Sequence, residues 1–86
     1  MLNIKDIKDA KERLSSVIKK TPFSLAPLLS KKQDCKIYLK KCNLQTTGAF
    51  KLRGAFNKIA TLSKIEKENG VIAASAGNHA QGVAFS

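Results

Sequence analysis

Ile4, Ile7, Ala10, Leu14, Val17 and Ile18 fall on one stripe, with Lys5, Asp6, Asp9, Glu12 and Arg13 off it. Spacings of three and four residues predict an amphipathic packing helix. Asn3 is placed to cap it, with Asp6 three residues on, and Thr21-Pro22 to end it. Ser24 to Leu29 is short and mixed, compatible with a turn of helix. Ile37 to Lys40 alternates and is rich in β-formers, so it reads as a strand. From Leu52 onward, Leu52, Ala55, Phe56, Ile59 and Leu62 recur at the helical period and predict a second amphipathic helix. Ser63 to Asn69 is polar, and Gly70 resets the backbone. Val71-Ile72-Ala73-Ala74 is an apolar run of strand length, as in a buried parallel strand. Gly77-Asn78 turns the chain, and Ala80, Val83 and Ala84 begin another helix. The order helix, strand, helix, strand, helix predicts an α/β fold, a parallel sheet with crossover helices. Two strands cannot make such a sheet covered on both faces, and the last helix is still running at Ser86. The pattern therefore predicts the N-terminal portion of a longer domain, incomplete within these 86 residues.

Composition narrows the function classes. Hydrophobic residues are 43% and charged residues 26%, an ordinary globular balance that argues against disorder. The net charge of +10 arises from 16 Lys/Arg against 6 Asp/Glu. Such an excess raises a small basic nucleic-acid-binding module as one reading. The lysines are spread from Lys5 to Lys67, however, and the aromatic residues do not interleave with them as a stacking platform would require. Cys35 and Cys42 form no CxxC pair, and one histidine leaves no credible zinc set, so no metal is expected. Two thiols without a secretory leader pattern point to a reducing, cytoplasmic setting. No apolar run approaches membrane-spanning length, and no membrane is expected as a partner.

Two stretches carry candidate chemistry. Thr46-Thr47-Gly48-Ala49-Phe50-Lys51-Leu52-Arg53-Gly54-Ala55 reads as a glycine-broken loop that delivers Lys51 onto the first turn of a helix. A surface cation gains nothing at the positive helix end, where unpaired backbone amides gather, and Arg53 adds a second cation nearby. The placement suits a nucleophilic lysine, although most lysines at such positions are solvated surface groups. The second stretch, Ser75-Ala76-Gly77-Asn78-His79, lies where a strand opens into a helix, an edge at which α/β folds bind anionic ligands. Gly77 permits close backbone approach, and Asn78 offers a donor and an acceptor. Read structurally, the same residues are an asparagine-capped helix after a glycine turn. Gly77 and Gly82 match part of a phosphate-loop spacing. Val83-Ala84 stands where that motif needs Lys-Ser/Thr, which excludes a nucleotide P-loop.

Gly48-Ala49-Phe50-Lys51-Leu52-Arg53-Gly54-Ala55, with Ser75-Ala76-Gly77-Asn78-His79-Ala80-Gln81-Gly82 downstream, resembles the serine/threonine dehydratase family of pyridoxal-phosphate (PLP) enzymes. The likeness is nearest to the threonine dehydratases (threonine ammonia-lyases) and spans nearly the whole chain. It implies the fold-type II, tryptophan synthase β-like fold, with residues 1–86 as the N-terminal part of its catalytic domain. It further implies that Lys51 holds PLP as a Schiff base, that Phe50 flanks the cofactor ring, and that Asn78 hydrogen-bonds the phenolic oxygen. Ser75, Gly77, Asn78 and His79 would receive the substrate carboxylate. The implied reaction is β-elimination from L-threonine or L-serine, giving 2-oxobutanoate or pyruvate and ammonia, with PLP as electron sink. A homo-oligomer is implied as well. The chain departs from the family pattern at Cys42, where an acid is usual, and at Ala49, where many members have serine.

Within the family, serine racemase, serine dehydratase and other PLP lyases of the same fold need the same lysine and asparagine loop, so this segment separates them poorly. A glycine-rich phosphate cup and a partner for the pyridine nitrogen do not occur in these residues. The 86 residues alone are therefore expected to be inactive.

Overall fold

In a computed structural model covering residues 1–86, helix α1 runs from Ile4 to Leu14. A reciprocal capping box fixes its start: Asn3 Oδ1 accepts from the Asp6 amide at 3.1 Å, and Asp6 Oδ2 accepts from the Asn3 amide at 2.8 Å. The helix closes at Leu14, ahead of the Thr21-Pro22 stop predicted from the sequence. Ser15 turns its hydroxyl back onto the Glu12 carbonyl at 2.8 Å, the local bonding by which serine competes with helix propagation. One irregular turn follows, in which the Val17 and Ile18 amides both reach the Leu14 carbonyl.

Strands β1 (Phe23–Leu25) and β2 (Tyr38–Lys40) pair antiparallel, Phe23 against Lys40 and Leu25 against Tyr38. The strand predicted at Ile37–Lys40 is present one residue shorter, as β2, and its partner β1 occupies the start of the stretch read as a helical turn. Helix α2 (Pro27–Lys32) takes the remainder, with proline at its first position, where the missing amide proton costs nothing. Ladder and connection are joined by the Lys41 amide on the Pro22 carbonyl (2.9 Å) and the Lys40 ammonium on the Thr21 carbonyl (2.6 Å).

A 3-10 turn at Cys42–Leu44 leads into a loop and then α3 (Lys51–Ala60). Helix α4 (Lys64–Asn69) occupies the polar stretch that the periodicity left unassigned. Its signal lies in the termini: Ser63 Oγ accepts from the Glu66 amide at 3.3 Å, Glu66 Oε2 accepts from the Ser63 amide at 2.7 Å, and Gly70 closes the helix at φ +77°. Helix α5 spans Asn78–Phe85. No helix is long and apolar enough to cross a membrane.

The stretch Val71–Ala74, predicted as a buried parallel strand, is irregular here, and its residues make no backbone hydrogen bonds. Ile72 is fully exposed. A strand exists only against a neighbour, and the one sheet present is the β1–β2 ladder.

Helix α3 is the hub, packing on α1 and, most extensively, on α5. Arg13 Nε donates to Asn57 Oδ1 at 2.8 Å across the first interface. At the second, Gly82 lies so close that an added Cβ would stand 3.3 Å from the Leu52 amide nitrogen, its Cα and the Ala55 Cβ. Leu52 is wholly buried there. Only six of 86 residues are buried in all, so the interior is a thin seam rather than a filled core. The radius of gyration, 16.0 Å, exceeds the about 12 Å expected of a compact domain this size.

Two consequences are measurable in the 86-residue chain. Gly54 has no atom within 4 Å of a Cβ built on it, so Gly54→Ala should raise helicity and stability by about 0.5–1 kcal/mol through backbone entropy. Gly82→Ala gains the same propensity but drives a methyl into the Leu52 backbone, an overpacking that costs about 1–3 kcal/mol. Helical circular dichroism at low temperature should rise in Gly54→Ala and fall in Gly82→Ala. A stabilised Gly82→Ala would show that α5 does not rest on α3 as described.

The second consequence concerns acid. Hydrogen bonding from the Ser63 amide, then from the Ser63 side chain, holds Glu66 below its ordinary value of 4.5, with help from Lys58; desolvation acts weakly the other way. The folded value lies below the unfolded one, so this contribution is complete above about pH 4.5 and is lost as pH falls through the folded value. Carbon chemical shifts of residues 64–69 should therefore move toward coil in that acid window. Glu66→Gln should show no such pH dependence.

Candidate active site

The turn before α3 is built around Gly48. Its amide donates to the Gln45 carbonyl at 2.8 Å, and its φ of +71° is one that side-chain-bearing residues rarely adopt. Ala49 is then buried, Phe50 stands at the helix cap with φ −71° and ψ −20°, and Lys51 is the first helical residue, as its sequence context predicts. No side chain caps α3, and the Arg53 amide turns back onto the Phe50 carbonyl at 3.1 Å. The Lys51 side chain is exposed and has neither a carboxylate nor a hydrogen-bond partner within the chain. Its nitrogen stands 5.4 Å from the centre of the Phe50 ring, which is 62% exposed. An amine without partners beside an uncovered aromatic face is a pair of groups free to meet a planar ligand.

The second motif opens α5. Gly77 is the cap residue and Asn78 the first residue of the helix proper, so the asparagine-cap reading does not hold. The Asn78 carboxamide is exposed and makes no hydrogen bond within the chain, leaving both its donor and its acceptor free. Ser75 Oγ accepts from the Gly77 amide at 3.2 Å and so shapes the turn between them. Ser75, Gly77 and Asn78 thus form one connected turn. His79 lines an apolar cleft with Ala55, Lys58, Ile59 and Val83, and Lys51 does not belong to that cleft.

What joins the motifs is the α3–α5 interface. Gly82 sits one turn after Asn78 on the same helical face, and it rests on Leu52, the residue after Lys51. Phe50, Lys51 and the Ser75–Asn78 turn are therefore held on two packed helices, although they are 24 or more positions apart in sequence.

One contributor escaped the sequence reading. Gln45 is 4% exposed, and its carboxamide makes three hydrogen bonds inside the chain. Its Oε1 accepts from the Lys19 amide (3.0 Å) and the Thr46 amide (3.2 Å), and its Nε2 donates to the Lys19 carbonyl (3.0 Å). A lone glutamine in a polar stretch gives no periodic signal, so only its burial reveals it. In the same loop the Thr47 hydroxyl is buried without a hydrogen-bond partner.

The chain as a whole is similar to known proteins. Residues 14–86 match the family described as pyridoxal-phosphate dependent enzyme. The L-threonine ammonia-lyase of Thermotoga maritima is 53% identical over 85 residues, covering 99% of this chain and 21% of that protein. A biosynthetic L-threonine dehydratase of Lactococcus lactis is 52% identical over 85 residues, covering 99% of the chain and 20% of that protein. Among solved structures, serine racemase from Dictyostelium discoideum superposes with a TM-score of 0.90 at 39% identity, over 98% of this chain and 28% of that one. The chain thus spans about a fifth of the length of the curated relatives it matches. The superposition carries the predicted fold type. With a free lysine leading α3, an asparagine turn packed against the same helix, and a family match over residues 14–86, the chain belongs to the pyridoxal-phosphate-dependent enzymes.

Proposed function

We propose that this chain is the N-terminal part of the catalytic domain of an enzyme that deaminates L-threonine, with L-serine as a second substrate. The observation that carries the reading is the free Lys51 amine at the start of α3, beside Phe50, in a chain about half identical to threonine ammonia-lyases. The residues fit the cofactor. The Lys51 amine would hold PLP covalently and, once released by the substrate amine, would take the proton from the substrate Cα. The Phe50 ring would lie against the pyridine ring. The unpartnered Asn78 carboxamide would donate to the phenolic oxygen. Backbone and side-chain donors of Ser75, Gly77, Asn78 and His79 would receive the substrate carboxylate, His79 through its main chain, since its imidazole faces the apolar cleft. Bound PLP supplies the electron sink for loss of the Cα proton and of the β-hydroxyl as water. Assembly as a homo-oligomer in the cytoplasm belongs to the same proposal.

Serine racemase is the second reading, favoured by the TM-score of 0.90. The threonine reading is preferred because the sequence identity to threonine enzymes is higher, 53% against 39%.

The test joins these 86 residues to the remainder of the Thermotoga maritima enzyme in place of its matched segment. The chimera should release 2-oxobutanoate from L-threonine. A folded chimera that releases no 2-oxobutanoate and traps no PLP would overturn the reading. Lys51→Ala should abolish both turnover and the pyridoxyl group trapped by borohydride, and mass spectrometry placing that group on another lysine would sink the assignment. Asn78→Ala should weaken cofactor binding about tenfold or more, since a hydrogen bond to a charged group contributes about 1.5–3 kcal/mol. An unchanged titration would count against Asn78.

The 86 residues alone should behave differently. The apolar side chains of Phe23, Leu28, Val71 and Ile72 are exposed, and only a thin seam is buried. The isolated chain should show no turnover, hold PLP weakly and melt without a sharp transition. A cooperative melt accompanied by 2-oxobutanoate release would overturn this.

A further inference from the structure

We propose that Gln45 is a positioning residue: its buried carboxamide locks the Lys51 loop to the Lys19 peptide and so sets where the Lys51 amine stands. This rests on Lys51 being the cofactor lysine, as proposed above. The geometry is that of a strand pair made by a side chain. Gln45 Oε1 and Nε2 meet the amide and the carbonyl of the same residue, Lys19, each at 3.0 Å. The same Oε1 also takes the Thr46 amide at 3.2 Å, on the chain that leads to Lys51. The main chain of Gln45 is fixed as well, its amide on the Cys42 carbonyl (3.1 Å) and its carbonyl on the Gly48 amide (2.8 Å). Five hydrogen bonds thus converge on one residue with 4% exposure, six positions before the lysine.

No other residue offers this link. Between α1 and β1, Lys19 lies in an irregular stretch whose backbone has no ladder partner at that point. Glutamine alone presents an acceptor and a donor at this length. Glutamate would set a carboxylate against the Lys19 carbonyl, and methionine would fill the space while the Lys19 and Thr46 amides lose their acceptor and the Lys19 carbonyl keeps only the Thr21 amide. Released from this anchor, the loop retains only the Gly48 turn and the burial of Ala49 and Leu52 to define its path.

A residue that only stabilised the fold would lower the melting temperature and leave the lysine's chemistry alone. A positioning residue alters how Lys51 meets PLP. The experiment therefore compares the holoenzyme chimera with its Gln45→Met and Gln45→Glu variants, each stripped of cofactor and remixed with PLP. The readouts are the rate of covalent capture on Lys51, the absorbance band of the bound cofactor across pH, and kcat against KM. Capture should slow at least about fivefold in both variants, with a displaced pH profile and kcat falling more than KM rises. Wild-type capture and pH profile in Gln45→Met, whatever its melting temperature, would overturn the proposal. Amide exchange in the unmutated holoenzyme supplies a measurement independent of how the variants fold. The Lys19 and Thr46 amides should be strongly protected, and rapid exchange at both would overturn the lock. If the unmutated enzyme captures no PLP on Lys51, the assigned function falls and this inference with it; if it does and Gln45→Met matches it, only the lock falls.

Discussion

At Gly82, helix α5 approaches α3 until a single methyl group would stand 3.3 Å from the Leu52 backbone. Close packing of this kind sets two separate sequence motifs on adjoining helices, because a glycine is all that separates the helix behind the asparagine turn from the helix behind the lysine. Leu52 completes the contact from the other side: it is wholly buried, and it follows Lys51 directly. Interiors packed at crystal-like density transmit small displacements, so a shift of α5 would carry Asn78 with it. Helix α1 braces the opposite side of α3 through Arg13 and Asn57, and the β1–β2 ladder reaches the lysine loop only through the chain around Thr21 and Gln45.

The openness of the rest has two physical causes. The chain carries +10, and its two ion pairs, Lys5–Asp9 and Lys64–Glu68, are exposed pairs one helical turn apart, which contribute little. Self-repulsion therefore opposes compaction. The apolar groups that could oppose it are also distributed badly for that purpose. Leu28 lies apart on the surface, Phe23 meets only the Tyr38 ring, and Val71 and Ile72 border an open cleft, so the α3–α5 seam remains the most extensive contact. In a chain this short, surface outweighs interior, and a single seam cannot fill a core.

Much of this was legible from residue pattern, and the failures have definite causes. Periodicity located α1, α3 and the beginning of α5, because each has an apolar stripe that packs on or toward another helix. It missed α4, which has no stripe and is written instead in its caps, Ser63, Glu66 and Gly70. It overextended α1, where Ser15 bonds backward and ends the helix although Val17 and Ile18 continue the stripe. The Val71–Ala74 stretch shows the limit of strand prediction: apolar β-formers specify a strand only when another strand is present to accept its hydrogen bonds. Glycine punctuation singled out the Lys51 loop and the Ser75–Asn78 turn as candidates, while their roles, and Phe50 altogether, came from the family resemblance. Gln45 did not, because nothing local distinguishes a buried carboxamide from a solvated one.

The arrangement of burial along the lysine loop gives the site its character. Gln45, Ala49, Leu52 and Ala55 are buried, while Phe50 and Lys51 between them are exposed. On α5, Gly82 is buried and Asn78 is exposed one turn earlier. The residues that fix position turn their polar groups inward or have none: Gln45 makes three hydrogen bonds with its buried carboxamide, and Leu52, Ala55 and Gly82 have no polar side-chain atoms. The residues with free capacity, the Lys51 amine and the Asn78 carboxamide, do nothing to hold the fold. Neither end of this division could be exchanged for the other. A partnered lysine would have to break a bond before it could form one to a ligand, and an unpartnered Gln45 would leave a buried carboxamide at a cost of about 1–3 kcal/mol. Chemistry and support are separated residue by residue, so a substitution at Lys51 or Asn78 should disturb function without disturbing the fold, while one at Leu52 or Gly82 should reach function only through the fold.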